Sequence, residues 1–258
     1  MRRTCCGLLV TGLFLFAPAA PAAALPFVEV WGEARYWRPT LESEIVATAA
    51  GLQGTRVDAV DTLGVDEEQN VFEGRAGLTF FGRHKFRIGY LPLSFEGDRT
   101  ITQDFNFGGV TFTASERVLT DLDVKILRGG YEFDFFKTPV GYLGILLEVH
   151  YFDGEAHLRT VSTGKDETVD FRVPIPVIGL AFRAYPITRI LSVGAEVVGI
   201  TAGDKGHYLD GEMSITLSPW PFVELTAGYR VIDLEGEEGD DKIDLFLHGP
   251  FASFTVRF

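Results

Sequence analysis

The sequence predicts an all-β fold: a single closed, antiparallel, up-and-down transmembrane β-barrel of ten strands, with eight or twelve strands as alternatives. Three observations lead to this prediction. Ten stretches alternate apolar and polar residues with the period of two that is typical of a strand. The connections between them alternate between short turns and long or acidic segments. Aromatic residues collect near the short turns.

The first predicted strand, residues 27–37, shows the pattern that the others repeat. Val28 and Val30 lie on one face, and Glu29, Glu33 and Arg35 lie on the other. In a barrel the apolar face meets lipid and the charged face lines a wet lumen. In a secreted β-domain the apolar face would pack a core instead. The pattern of one strand does not separate these two architectures.

The other nine predicted strands follow in order along the chain. They cover residues 72–80, 86–103, 110–136, 143–161, 171–184, 191–200, 209–217, 223–232 and 249–258. The alternation changes phase at Pro92 and again at Gly129 and Gly130. Because proline in a sheet is found mainly at bulges and edges, a β-bulge at Pro92 is predicted.

Two classes of connection separate the predicted strands. Short turns are predicted at residues 82–85, 137–139, 185–189 and 219–221. The long connections include an acidic external loop at residues 39–69 and a second acidic loop at residues 233–244. Alternation of short and long connections favours a barrel with all its short turns at one end.

The N-terminal residues predict export from the cytoplasm. Arg2 and Arg3 precede a short apolar run and a small-residue cleavage site, so residues 1–24 are predicted to be a cleaved signal peptide and residues 25–258 the barrel domain. Cleavage removes both cysteines, which excludes disulfides and cysteine chemistry. The formal net charge of −13 becomes −15 without the two arginines, and this excludes a nucleic-acid partner. No later stretch has the length of apolar sequence that a transmembrane helix needs.

The closing stretch, residues 249–258, resembles the C-terminal strand of Gram-negative outer-membrane β-barrel proteins. Ala252, Phe254, Val256 and Phe258 share one face, and the chain ends on that phenylalanine. The resemblance implies that Phe254, Val256 and Phe258 form an assembly signal for the barrel-assembly machinery. It also implies an outer-membrane location with both termini in the periplasm, contacts with outer-membrane lipid and lipopolysaccharide, and a porin-like monomer.

An aromatic girdle supports the membrane barrel over the secreted β-domain, which has no reason to collect rings at one end. The predicted girdle residues are Phe80, Phe81, Phe86, Phe133, Phe135, Phe136, Tyr142, Phe182, Tyr185, Trp220, Phe222 and Phe258.

The polar faces of the strands predict what lines the lumen. The candidates are Glu29, Glu33, Arg35, Glu73, Arg75, Arg87, Glu148, His150, Arg183, Glu196, Glu224, Arg230 and Arg257. One hypothesis is a narrow polar pore, which makes the protein a small passive channel or small-solute transporter. The other is an ion-paired plug, which makes it a structural or surface-interaction barrel. The passive channel or transporter is the leading prediction.

An outer-membrane hydrolase acting on lipid A or peptide is the second alternative. Histidines lie near carboxylates at His150, His157 and His207, which is the minimum for general-base chemistry. No hydroxyl is tied to these pairs by a motif, and the motif of the omptin-type proteases cannot be matched. The acidic loops lack the spacing of a calcium loop. No catalytic residue, metal site or cofactor is therefore predicted.

Overall fold

The computed structural model describes residues 27–46, 54–187, 189–203, 206–238 and 241–258. The predicted signal peptide, residues 1–24, lies outside the described residues. Fourteen strands form, at β1 Val28–Trp37, β2 Thr40–Val46, β3 Val57–Asp58, β4 Val71–Phe80, β5 His84–Thr100, β6 Phe105–Phe107, β7 Val110–Phe112, β8 Arg117–Thr138, β9 Gly141–Thr160, β10 Asp166–Ile187, β11 Leu191–Thr201, β12 Gly206–Trp220, β13 Val223–Glu238 and β14 Asp241–Arg257. The described chain contains no helix long and apolar enough to cross a membrane.

Ten of these strands close into one barrel. The order β1-β4-β5-β8-β9-β10-β11-β12-β13-β14 runs through antiparallel neighbours, and β14 also pairs with β1. The closing register places Trp31 opposite Arg257 and Trp37 opposite Phe251. The predicted ten-stranded, up-and-down architecture is confirmed.

The outside of the barrel is apolar over the half that carries the short turns. Phe72 and Met213 are each 72% exposed there. Other exposed apolar side chains continue the belt through every strand of the barrel: Val30, Ile88, Leu127, Leu147, Ile178, Val193, Leu225 and Phe254 are examples. So much exposed apolar surface is unstable in water and fits a lipid environment. Tyr142 is an exception to the predicted girdle, because its ring faces the interior with Lys85 Nζ 3.8 Å from its centroid.

The predicted bulge at Pro92 is wrong, and the pairing is also continuous at Gly129 and Gly130, where the alternation changes phase. β5 and β8 pair without a register shift from His84 opposite Phe133 to Thr100 opposite Arg117. Pro92 lies two residues beyond the last β4–β5 pair, at Tyr90, so its missing N–H removes no bond on that side. The change of phase has another cause, which is a change in the character of the interior.

Beyond the apolar belt, the two faces of the wall exchange character. Leu91, Leu93 and Phe95 point inward from β5 and are at most 2% exposed. On the outside at the same level β8 carries Asp121 and Asp123. This part of the barrel therefore has an apolar inside and a polar outside, as a water-soluble barrel has.

The two acidic segments contain more strand than the sequence predicts. β2 continues the pairing of β1 with β14 in unbroken register, from Trp37 opposite Phe251 to Thr40 opposite His248. The β13–β14 hairpin reaches Glu238 and Asp241, so most of residues 233–244 lie on a paired ribbon. Both segments alternate acidic residues outside with apolar residues inside, and this alternation explains the extra strand.

Two segments cover the end of the barrel opposite the short turns. Residues 54–69 cross the interior, where Val65 bridges to Gly97 of β5. The β6–β7 hairpin packs beside them, with Phe105 and Phe112 stacked at 5.1 Å and Thr55 N bonded to Asn106 O at 3.0 Å. Together with the inward residues of the long strands they form an apolar core, of which Trp37, Leu41, Val57, Leu63, Leu91, Phe95, Phe107, Ile126, Phe152 and Tyr208 are members.

Candidate functional site in the barrel interior

The interior of the barrel consists of a charged half and an apolar half. Toward the short turns β8 points Asp134, Glu132 and Arg128 inward, and toward the long loops it points Ile126 and Val124 inward. The charged half lies inside the apolar belt. The apolar half lies beyond the belt and is filled by the apolar core.

Arg230 is the centre of the charged half. It is completely buried and donates two hydrogen bonds to Asp210, at 2.9 and 2.7 Å, and one to Glu73 at 3.0 Å. Glu73 also accepts a hydrogen bond from Arg75 at 2.8 Å and pairs with Arg128 at 3.3 Å. Bidentate arginine–carboxylate contacts of this kind are strong and fix the geometry of both partners.

A second group of ion pairs surrounds this centre. Arg35 contacts both carboxylate oxygens of Glu212, at 2.5 and 3.2 Å, and Arg75 donates to the same carboxylate at 3.2 Å. Arg87 pairs with Glu148 and, at 2.8 Å, with Glu196. Charges buried in this way are stable only when each has a partner, and the network meets that condition.

A third group lies at the short-turn end. Arg257 donates to Glu29 at 2.6 Å, the contact that closure of the first and last strands predicts. Glu224 accepts from Arg257 at 3.0 Å and from Arg183 at 3.3 Å. Lys85 donates to Glu132 at 2.6 Å and to Asp134 at 2.9 Å.

A cavity of about 550 Å³ lies between this third group and the deeper ion pairs. Gly82, Lys137, Arg189 and Pro221, which belong to the four short turns or lie next to them, line its mouth. Its inner end is formed by the ion pairs, and the apolar core fills the described interior beyond them. Among the described residues the cavity therefore forms a vestibule that opens toward the short turns and is bounded at its inner end by the ion pairs.

His150 lies where the charged half meets the apolar core. Its ring is fully buried, with Nε2 2.8 Å from Glu148 and Nδ1 2.8 Å from the hydroxyl of Tyr208. Both ring nitrogens are thus occupied. In the described residues no serine or threonine hydroxyl bonds to a histidine, so a nucleophile activated by His150 is not formed.

The other two histidines considered for catalysis lie outside the barrel. His157 is 2.8 Å from Asp166, and His207 is 3.0 Å from Asp233 and 3.3 Å from Glu235. The hydrogen bond to Asp233 raises the pKa of His207 above its usual value. The ranges that the structure describes contain no group of three or more His, Asp or Glu side chains arranged to hold a metal ion.

The structure places the thirteen candidate residues on the inner face of the wall, where each has a charged or hydrogen-bonding partner; Glu33, for example, accepts a hydrogen bond from Arg35 at 3.0 Å. Whether they line a functional lumen stays a prediction. The sequence-based set omitted Lys85, Arg128, Glu132, Asp134, Asp210 and Glu212. These six have the same signal, because they also lie on the polar face of an alternating strand. Alternation does not predict which of these charges form ion pairs with one another. Arg230 and Glu73, for example, are in contact although they are 157 residues apart in the sequence.

No protein-family model matches the sequence. No curated protein matches it either. The structure is similar to that of the outer membrane protease OmpT from Escherichia coli, with a TM-score of 0.57 and 10% sequence identity over 89% of this chain and 97% of that chain. This likeness shows that the fold is that of Gram-negative outer-membrane β-barrels. Weaker likenesses are found to Ail of Yersinia pestis, in complex with the heparin analogue sucrose octasulfate (TM-score 0.36, 13% identity, 88% of this chain and 99% of that), and to the toluene transporter TodX of Pseudomonas putida (TM-score 0.35, 8% identity, 90% of each chain).

Proposed function

We propose that the protein is a closed outer-membrane barrel that acts at the cell surface, as a structural or interaction protein, and does not conduct solutes. The observation that carries this proposal is the double closure of the interior. A solute that entered from the short turns would meet a layer of paired charges and then the apolar core. The passive channel expected from the sequence needs a continuous polar path, and the geometry favours the alternative of a plugged lumen.

The apolar core is the more effective of the two barriers. Leu91, Ile126 and Phe152 come from three neighbouring strands and are at most 1% exposed. Close-packed side chains of this kind leave no room for water, and an ion crossing them would lose its hydration without replacement.

The apolar belt supports placement in the outer membrane with the short turns toward the periplasm, because the long strands beyond the belt carry charged residues outside. Arg172 and Asp153, for example, pair at 3.1 Å on the outer face just above it. In this orientation both termini lie in the periplasm. Phe254 and Val256 on the outer face of β14, and Phe258 directly after it, serve the assembly machinery. The charged ribbon lies at the level of lipopolysaccharide. The barrel functions as a monomer.

The surface available for interaction is the outer face of the four long strands β5, β8, β9 and β10. Asp123, Glu155 and Asp170 occupy adjacent register positions across three of them. Their carboxylates give this face a negative potential toward approaching partners. No comparable observation favours the hydrolase alternative. Within the described chain, none of the histidines is hydrogen-bonded to a serine or threonine that could act as a nucleophile.

Single-channel recording in a planar bilayer tests the proposal. Purified protein starting at Leu25, shown by circular dichroism to be folded, is expected to insert and to give no conductance steps. Insertion is verified on the same sample by flotation with lipid vesicles. Discrete, reproducible steps from inserted and folded protein would overturn the closed barrel and restore the passive channel.

A further inference from the structure

The vestibule owes its volume to small side chains on four consecutive strands. β10, β11, β12 and β13 point Ala181, Gly194, Ser214 and Thr226 into the interior between two levels of charge. At the mouth side of this gap lies Arg183, and at the inner side lies Glu196. A structure that needed only a filled lumen would have larger residues here.

Arg183 has donors left over at the mouth side of the gap. In the described part of the chain only its Nη1 has hydrogen-bond partners, the two oxygens of Glu224 at 3.3 Å. The same carboxylate also serves Arg257 at 3.0 Å. Arg257 also has Glu29, at 2.6 Å, whereas in the described chain Glu224 is the one carboxylate bonded to Arg183, and Arg183 shares it. The Nε of Arg257 is buried without a partner. The guanidinium of Arg183 can therefore bind a further carboxylate.

Glu196 is the under-compensated carboxylate at the inner side. It lies directly opposite Glu212 in the β11–β12 register, an arrangement of like charges that is unfavourable without cations. Glu212 has Arg35 and Arg75 in direct contact, whereas among the described residues the one direct ion pair of Glu196 is with Arg87, which also serves Glu148; Arg75 and Arg183 act on Glu196 from a longer distance. The side chain of Glu196 is 28% exposed to the cavity, against 12% for Glu212. The carboxylate of Glu196 can therefore bind a further cation.

The guanidinium of Arg183 and the carboxylate of Glu196 lie on neighbouring strands, separated by a short gap. Arg183 lies opposite Gly194, and Glu196 is two residues further along β11 on the same face. Diagonal neighbours of this kind have backbone positions about 7–8 Å apart. Because Gly194 contributes no side chain, the space between the guanidinium and the carboxylate is open to the vestibule.

We propose that the vestibule binds a small zwitterion of the ω-amino-acid type, with its carboxylate at Arg183 and its ammonium group at Glu196. The ligand enters from the short-turn end. The site goes beyond the surface role proposed above and does not depend on it, because the vestibule opens at the short turns whether or not the opposite end conducts.

Isothermal titration calorimetry on the folded protein tests this with three probes of equal chain length: 5-aminopentanoate, pentanoate and pentylamine. The zwitterion is expected to bind at least about tenfold more tightly than either singly charged probe, as charge-assisted hydrogen bonds at both ends predict. Glu196→Gln should reduce its affinity to that of pentanoate, and Arg183→Gln to that of pentylamine. Arg172→Gln, on the outside, should leave binding unchanged.

Three results would overturn the site: no binding of 5-aminopentanoate, equal binding of all three probes, or zwitterion affinity unaffected by both lumen variants. The comparison of the three probes on the unaltered protein decides the question even if a lumen variant fails to fold. Absence of conductance with zwitterion binding supports both proposals, and conductance with zwitterion binding removes only the closed barrel.

Discussion

Replacing Arg230 with alanine is expected to lower the free energy of unfolding by about 3–5 kcal/mol. Arg230 is fully buried and holds Asp210 and Glu73 through three hydrogen bonds of 2.7–3.0 Å. Without it, Arg128, at 3.3 Å, is the one direct ion-pair partner left to Asp210 among the described residues, and this buried carboxylate loses both of its hydrogen bonds from Arg230. Urea-induced unfolding from lipid vesicles, followed by tryptophan fluorescence, measures the change.

The matched control is Arg172→Ala. Arg172 pairs with Asp153 at 3.1 Å on the outer face, where the two side chains are 66% and 44% exposed. An exposed pair of this kind is screened by solvent and contributes little to stability, so this substitution is expected to have a much smaller effect. Equal effects of the two substitutions would contradict the central position of Arg230 in the network.

Phe95→Ala is expected to cost about 3–5 kcal/mol, the range measured for phenylalanine removed from protein cores. Phe95 is 1% exposed and lies inside the part of the barrel that extends beyond the apolar belt. This part has an apolar core inside and polar residues outside, as a water-soluble barrel has. Removal of the ring should therefore leave a cavity whose lining loses its packing contacts.

Val161→Ala serves as the control for Phe95. It lies at the β9–β10 hairpin, beyond the same long strands, and is 59% exposed. Surface substitutions of this kind usually change stability by within about 0.5 kcal/mol. If Phe95→Ala behaved like Val161→Ala in the same unfolding measurement, the interior at this level would be wet, and the apolar core would not seal the barrel.

The period of two in the sequence was sufficient to predict the fold, because each strand sorts its residues onto two faces regardless of what its neighbours are. Glu29 and Arg257 are an example. Alternation places both on inner faces, and pairing of the first strand with the last brings them into contact. The same alternation assigns each strand's residues to a face as a set, since a one-residue error would move a whole strand to the wrong face.

Alternation does not specify which face is wet. At Pro92 the apolar residues of β5 move from the outer face to the inner face, and a bulge was predicted from that change. The strand is continuous there, and the surroundings change instead, from lipid outside to water outside. A pattern that contains only two residue classes cannot distinguish a slip of register from an exchange of environments.

Closure of the lumen cannot be predicted from the sequence, for a related reason. It depends on residues 54–69 and the β6–β7 hairpin, which fold back over the barrel through contacts such as Val65 with Gly97. Those contacts join segments that are distant in sequence and lack a strong period. The sequence therefore leaves pore and plug as open alternatives, and the packing of the apolar core supports the plug that we propose.

The central claim, a vestibule open at the short turns and closed at the other end, is tested most directly by the sidedness of cysteine labelling. A chain beginning at Leu25 contains no cysteine, so Ser214→Cys places a single thiol in the vestibule and Thr168→Cys a single thiol on the outer face of β10. The measurement uses an impermeant thiol reagent on vesicles with uniformly inserted protein. We expect the thiol at position 214 to react with the reagent only from the short-turn side, and the thiol at position 168 only from the loop side. Labelling of position 214 from the loop side would contradict it.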